Sequence, residues 1–330
     1  MFNKASILIT GGTGSFGKKF VEMTLKKYSP KRLIVFSRDE IKQWEMSKEY
    51  KNNNKIRFFI GDVRDKDRLN RALKHVDYVV HAAATKIVTT AEYNPFEAVK
   101  TNIIGATNLI DACIDNNIKK IVALSTDKAS SPSNLYGATK LVSDKLFVSG
   151  NSYSGSQISK FSVVRYGNVM GSRGSIIPYF IGLKNKAKFP INDKRMTRFM
   201  ITLNQAVELV WETFRDMKGG EIYVKKIPSI KVIDIAKTIN SKAKLDYVGI
   251  QPGEKIHEQM ISIEDSPYTY EYKNYYKILP SIHNWSKDPY RIGKGKKVSS
   301  NFLYTSNNNN AWMTRDQLKI WIDNNYFDFL

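Results

Sequence analysis

Tyr136 and Lys140 stand four residues apart in "LYGATK", so on a helix both side chains leave the same face and can converge on one ligand. A phenol with an amine beside it is a proton-transfer pair, because the positive charge favours the phenolate. Just upstream, "STDKASS" sets Thr126, Asp127 and Lys128 in a row where an apolar run, "KKIVALS", breaks into a loop. A hydroxyl, a carboxylate and a second amine there supply groups for a further acid and base step. Asp127 and Lys128 could equally form an ion pair that supports the strand end, and the residues alone leave both readings open.

A second constellation binds rather than reacts. "TGGTGSFG" follows the first apolar run and opens a helix, with Gly11, Gly14 and Gly17 each three apart. That spacing suits a tight turn, close backbone approach to a pyrophosphate, and a helix N-terminus whose free N–H groups attract anions. The second strand ends in "FSRDE". An acidic residue there would accept bonds from a ribose 2′-hydroxyl, but Ser37 and Arg38 precede Asp39, and a guanidinium favours a 2′-phosphate. We therefore expect NADP rather than NAD. Asp62, in "GDVRD" at the end of the third strand, is placed to reach the adenine. The small residues Ala82 to Ala84 leave room for the cofactor beside the fourth.

The elements that must hold these groups are legible as an alternation. "SILIT", "RLIVFS", "IRFFIGD", "DYVVHAAA", "KIVALST" and "FSVVRYGNV" are short, β-branched and unalternated, which suits parallel strands covered on both faces. Between them, helices are expected over about 15–27, 40–50, 66–73 and 95–116, and again around Tyr136. Strand–helix repetition with right-handed crossovers gives an α/β fold with a doubly wound, Rossmann-type parallel sheet. From about Asn168 the rhythm turns irregular. Residues 1–167 therefore read as the NADP-binding domain and 168–330 as mainly a substrate-binding region, with some segments returning to the main sheet. "SSNFLYTSNNNN" has almost no periodicity and reads as loop.

Composition sets outer limits. The 330 residues carry 52 basic and 31 acidic side chains, a formal charge of +21. Nucleic acid or an anionic surface would suit that charge. The lysines, however, are scattered without an aromatic-interleaved stripe, so a basic surface around a site for multiply charged phosphates is the plainer reading. No apolar run approaches the roughly 20 residues that span a bilayer, and "MFNKASILIT" reads as a first strand rather than a signal peptide. One cysteine, Cys113, lies in a helical pattern, which fits a packed thiol and a cytoplasmic setting. The four histidines lack ligand spacing, and no metal site is expected.

With T-G-x-x-G-x-x-G and Y-x-x-x-K in place, the chain resembles the extended short-chain dehydrogenase/reductase family. The blocks "AATKIVTTAEYNPFEAVKTN", "ALSTDKASSPSNLYGATK", "SVVRYGNVMGSRGS", "RMTRF", "PGEKIHE" and "YTSNNNNAW" narrow this. They are similar to those of the inverting UDP-N-acetylglucosamine 4,6-dehydratases that begin pseudaminic acid synthesis. For the cofactor the resemblance implies Thr13, Ser15, Phe16, Glu40, Lys42, Val63, Lys86, Thr101 and Val169, with Tyr136 and Lys140. For the substrate it implies Lys86 again, with Asn168, Arg173, Gly174, Ser175, Pro178, Asn192, Arg198, Gln251 and Glu254. Arg198 would clamp the diphosphate. Gln251 departs from the arginine common at that position, and Thr89 from a proline.

The resemblance also implies a reaction. Tyr136 would take the C-4 hydroxyl proton as hydride leaves C-4, Lys128 would remove the C-5 proton, and Asp127 would protonate the departing C-6 hydroxyl. The product would be UDP-2-acetamido-2,6-dideoxy-β-L-arabino-hex-4-ulose, made by a cytoplasmic homo-oligomer, dimer or hexamer. Retaining relatives carry Asp-Glu where this chain has Asp127-Lys128. A lysine base must be neutral part of the time, so its pKa is expected to fall from ~10.4 toward ~7–8, a cost of about 4 kcal/mol. Asp127 has the opposite need, a raised pKa. A retaining dehydratase, a UDP-hexose 4-epimerase and a non-catalytic NADP-binding regulator remain as alternatives.

Overall fold

The computed structural model describes residues 1–155 and 159–325. Six strands, β1 (Ser6–Thr10), β2 (Arg32–Ser37), β3 (Ile56–Ile60), β4 (Tyr78–His81), β5 (Lys120–Leu124) and β6 (Lys160–Arg165), form a parallel array in the order β3-β2-β1-β4-β5-β6. β1 pairs in register with β2 (Ile7 beside Leu33) and with β4 (Ile7 beside Tyr78). Chain direction across the sheet therefore reverses between β1 and β4, and ligands of such sheets sit beyond the strand ends at that point. The unalternated sequences are explained by cover on both faces: β1 is buried throughout and β2 from its second residue.

The later half contributes to the same sheet. Strand Ile222–Lys225 pairs parallel to β6, followed by antiparallel Tyr275–Ile278, Thr269–Glu271 and Lys296–Lys297. The large core runs through both halves. Phe2, fully buried, makes edge-on contacts with Phe20, Tyr28, Tyr78 and Phe214 at 5.2–6.4 Å, and burying such a ring stabilises by about 2–3 kcal/mol. A second, smaller core gathers Met170, Phe180, Phe189, Ile230, Ile235 and Leu318. Cys113 is buried as a packed thiol.

Helices Ser15–Lys27, Glu40–Glu49 and Lys66–Ala72 fall where the pattern puts them, and Leu203–Asp216 is a further helix of the later half. The expected helix over 95–116 is instead Pro95–Val99, a π-helical turn Lys100–Ile104, and Gly105–Asp115, preceded by a further helix, Val88–Tyr93. The π turn has a use. It turns Thr101 and Asn102 inward, and Asn102 exchanges two 2.9 Å bonds with the Thr85 backbone while donating to Thr139 Oγ1 at 3.0 Å. It thereby ties the loop after β4 to the helix Leu135–Tyr153. No described helix is long and apolar enough to cross a membrane.

Candidate active site

A cleft of ≈ 660 Å³ lies over the ends of the parallel strands and is lined from both halves of the chain. On one side β1 runs into the glycine turn. Gly11 has φ +65°, and a Cβ there would sit 2.8–2.9 Å from the Ala82–Ala83 backbone. A Cβ on Gly17 would meet Gly12 at 2.5 Å. Only glycine permits these approaches. The helix Ser15–Lys27 starts at Gly14 with no side-chain cap and no acidic residue in its first turn, so its free N–H groups face the cleft. Together with the open Ala82–Ala84 wall, this cradle fits a dinucleotide pyrophosphate.

Thr13, Ser15, Phe16, Ser37, Arg38, Asp39, Lys42, Asp62, Val63, Ala82, Lys86 and Thr101 all line the cleft. Thr13 and Ser37 bond through their hydroxyls at 2.8 Å. Asp39 caps the helix Glu40–Glu49 by accepting from Lys42 N–H at 2.9 Å and also pairs with the Lys42 ammonium, which holds its pKa low. Its carboxylate is thus committed to its own helix. Arg38 stays mostly exposed, 3.8 Å from Asp62. Glu40 lies outside the lining.

On the other side Asn168, Val169, Arg173, Gly174 and Ser175 line the wall. Arg173 N–H donates to Ser15 Oγ at 3.2 Å, and its carbonyl accepts from Lys86 Nζ at 2.9 Å, which closes that loop onto the glycine turn. Asn168 Oδ1 and Ser175 Oγ are buried without a partner. Such atoms are costly to leave unpaired and mark positions for a ligand's polar groups.

Between the walls, β5 ends and the chain folds into a single 3₁₀ turn, Asp127–Ala129. Thr126 caps it, donates to Asp127 Oδ1 at 2.9 Å, and has its hydroxyl near the Tyr136 phenol. The turn is pressed against the helix Leu135–Tyr153, whose Gly137 admits the Lys128 carbonyl; a Cβ there would lie 2.2 Å from that oxygen. Asn134 caps the helix and also donates to Gly253 O at 2.8 Å, docking the "PGEK" loop on its start. Asp127, Lys128, Tyr136 and Lys140 all reach the cleft.

The protonation picture differs from expectation in two places. Burial would depress Lys128, but Asp127 at 3.2 Å and Glu258 at 2.8 Å override it and hold the ammonium above its ordinary range. Burial pushes Tyr136 up to about 12, only partly opposed by Lys128 and the Thr126 hydroxyl. Lys140 is itself lowered by burial against the pull of Asp144. Neither the expected fall at Lys128 nor an activated phenol arises from the protein's own groups. At Lys128 the larger pull comes from Asp127, its neighbour in the chain, and Glu258, which spacing could not reveal, adds to it. Asp127 behaves as expected: burial raises its pKa, and Glu258 adds to the effect.

Glu258 is the residue that sequence reasoning passed over, although it ends the quoted "PGEKIHE" block. It is 2 % exposed, ion-paired to Lys128, and 3.7 Å from Arg198 Nε. Arg198 is correspondingly drawn away from a phosphate clamp. It lies outside the lining, buried, donating to Thr197 O at 2.8 Å and Ile256 O at 3.1 Å. Pro178, Asn192, Gln251 and Glu254 also lie outside the lining. Asn192 donates to Glu254, Gln251 N–H approaches the same carboxylate at 3.3 Å, and Asn192 faces a separate open hollow with Arg195 and Tyr247. Among the described residues no group of three His, Cys, Asp or Glu side chains is placed to hold a metal.

A doubly wound sheet with a glycine cradle, and a Tyr/Lys helix opposite it, defines an extended short-chain dehydrogenase/reductase. Residues 7–280 match the family described as "Polysaccharide biosynthesis protein", and the chain belongs to that family. It is 52% identical to a Campylobacter jejuni UDP-N-acetylglucosamine 4,6-dehydratase (inverting), over 96% of this chain and 97% of the relative. A Rickettsia bellii UDP-glucose 4-epimerase is 40% identical over 93% of this chain and 92% of its own. Among solved structures, Pen from Bacillus thuringiensis superposes with a TM-score of 0.89 at 38% identity, over 98% of both chains.

Proposed function

We propose that the chain is an NADP-dependent UDP-N-acetylglucosamine 4,6-dehydratase that inverts C-5, an early step toward a nonulosonate such as pseudaminic acid. One observation carries the reading: Asp127, Lys128 and Tyr136 meet at one cleft wall in a chain 52% identical to an enzyme of that name. Tyr136 takes the proton of the C-4 hydroxyl. A bound nicotinamide supplies hydride acceptance from C-4, return of that hydride to C-6, and a positive charge that favours the phenolate. Lys128 removes the C-5 proton, which the adjacent ketone makes acidic, and Asp127 gives its proton to the departing C-6 hydroxyl. A proton then returns to C-5 from the opposite face.

NADP rather than NAD is supported by the commitment of Asp39 to Lys42, which leaves Arg38 to meet a 2′-phosphate. We assign 1–167 to the dinucleotide and 168–330 mainly to the sugar nucleotide, a division supported by the separate core around Phe180 and Ile235. Tyr93 and Phe96, 87% and 79% exposed, support a homo-oligomer, and the packed Cys113 thiol fits a cytoplasmic setting.

The Rickettsia relative favours a second reading, a UDP-hexose 4-epimerase. An epimerase needs Tyr136 but has no use for a second acid and base. Incubation with UDP-N-acetylglucosamine and NADP in D₂O separates the two by mass and NMR. The proposal requires a product about 18 Da lighter, before counting isotope, with deuterium at an L-configured C-5. A C-4 epimer of unchanged mass establishes the second reading instead.

A further inference from the structure

Two buried carboxylates flank one buried amine, and they are not equivalent. Lys128 Nζ lies 2.8 Å from Glu258 Oε1 but 3.2 Å from Asp127 Oδ1. Arg198 Nε stands 3.7 Å behind Glu258, and Lys255 adds a second positive charge to it. Asp127 also feels Lys255, but its remaining neighbours are the Thr126 hydroxyl and the Tyr136 phenol rather than a guanidinium. Glu258 is also fixed at its backbone. Its N–H donates to Ser306 Oγ at 2.9 Å and its carbonyl accepts from Ser306 N–H at 2.8 Å. One oxygen of each carboxylate, Asp127 Oδ2 and Glu258 Oε2, is buried with no partner.

Resting on the dehydratase reading, we propose that Glu258 is a positioning residue for the acid–base pair: it is the counter-ion of Lys128 and leaves Asp127 uncharged, holding the proton destined for C-6. Like charges this close cannot both persist in a dry site, so the carboxylate with more positive neighbours ionises and the other keeps its proton. The directions agree: burial would raise Glu258, but Lys128 and Arg198 bring it below its usual range, while Asp127 is raised. Glu258 also offers the amine a destination for its proton. Passing it from Nζ to Oε1 breaks one N–H bond and forms one O–H bond, giving a neutral amine and a neutral carboxyl with the total charge unchanged. The charged groups facing the pair are thus Lys128, Arg198 and Lys255, with His257 beyond Arg198 and Asp144 beyond Tyr136.

The test is Glu258→Gln, with Glu258→Asp as the charge-conserving control and Asp127→Asn to identify the signal. Infrared titration of the substrate-free protein should show a protonated carboxyl at neutral pH that Asp127→Asn removes. Without the Glu258 charge, Lys128 turns to Asp127, whose titration should fall by about one unit or more, as for a carboxylate gaining a sole cationic partner. The alkaline limb of kcat should move to lower pH with it. At the wild-type optimum kcat should fall on the order of 100-fold, the usual worth of a general acid, while KM changes less than about threefold. Glu258→Asp should recover much of both. A carboxyl signal that survives Asp127→Asn, or titration and alkaline limb unmoved in Glu258→Gln, overturns the inference. Wild type that makes no dehydrated product refutes the dehydratase reading instead, and leaves the infrared result to stand by itself.

Discussion

Gly137 is the position where a single methyl group should separate chemistry from cofactor binding. In Gly137→Ala the new Cβ starts 2.2 Å from the Lys128 carbonyl oxygen, 3.0 Å from its carbon and 3.1 Å from Pro132 Cβ. The first two are backbone, so no rotamer relieves the clash. Restoring ordinary contact needs a shift of roughly 1 Å between the Asp127–Ala129 turn and the helix carrying Tyr136 and Lys140. A displacement of that size at reacting groups costs about 100-fold in rate, and overpacking costs about 1–3 kcal/mol of stability. The glycine cradle, held by β1, the Ser15–Lys27 helix and the Ala82–Ala83 backbone, is not touched by the change. Steady-state turnover, thermal unfolding and NADP titration, each on the purified variant, give the three readouts. The expected pattern is kcat down about 100-fold with NADP affinity within about threefold. Turnover within threefold of wild type would mean that the turn's position relative to Tyr136 does not govern the reaction, and the reasoning would fail.

Arg38→Ala should weaken NADP by about tenfold or more and leave NAD almost unchanged, read by fluorescence titration of both, because a charge-assisted bond contributes about 1.5–3 kcal/mol. Lys128→Met should leave cofactor binding intact and abolish solvent deuterium at C-5, read by NMR of the product in D₂O; retained label would assign the base elsewhere. His81 is buried with a pKa near about 3, bonded to Thr10 at 2.8 Å, so the folded state refuses a proton that the unfolded chain accepts below about 6.5. Stability is therefore full above about pH 6.5 and should fall toward pH 3 by up to about 1.4 kcal/mol per unit. Urea unfolding of His81→Gln should show a shallower slope between these limits.

The parts of this molecule that sequence made legible are those whose cause is local. A run such as "SILIT" declares a strand because its own residues are apolar and branched. Gly11 and Gly17 declare a turn because no other residue fits, and Tyr136 and Lys140 share a face through helical spacing alone. The π turn at Lys100–Ile104 escaped because its cause is tertiary: Asn102 must reach both Thr85 and Thr139. The surroundings of Arg198 escaped for the same reason. A strand residue in "RMTRF" shows its charge in sequence, but not that Glu258 and two carbonyls have already claimed it.

Glu258 is the sharpest case. It reaches Lys128 because "YTSN", a stretch with no periodicity, pairs Tyr304–Thr305 with Gln259–Ile261 and sets Ser306 against the Glu258 backbone. An amine between two carboxylates behaves oppositely to an amine alone in an apolar cleft; the chain neighbour Asp127 supplies the larger pull on Lys128, and the second carboxylate, Glu258, is the part that the sequence hid. Acid–base assignment in this site belongs to the set of charges, not to the Asp127-Lys128 dipeptide. Any relative that keeps the dipeptide but lacks a carboxylate at the Glu258 position should therefore titrate differently at Asp127, and its pH–rate profile should report the loss as a shift of the alkaline limb toward acid.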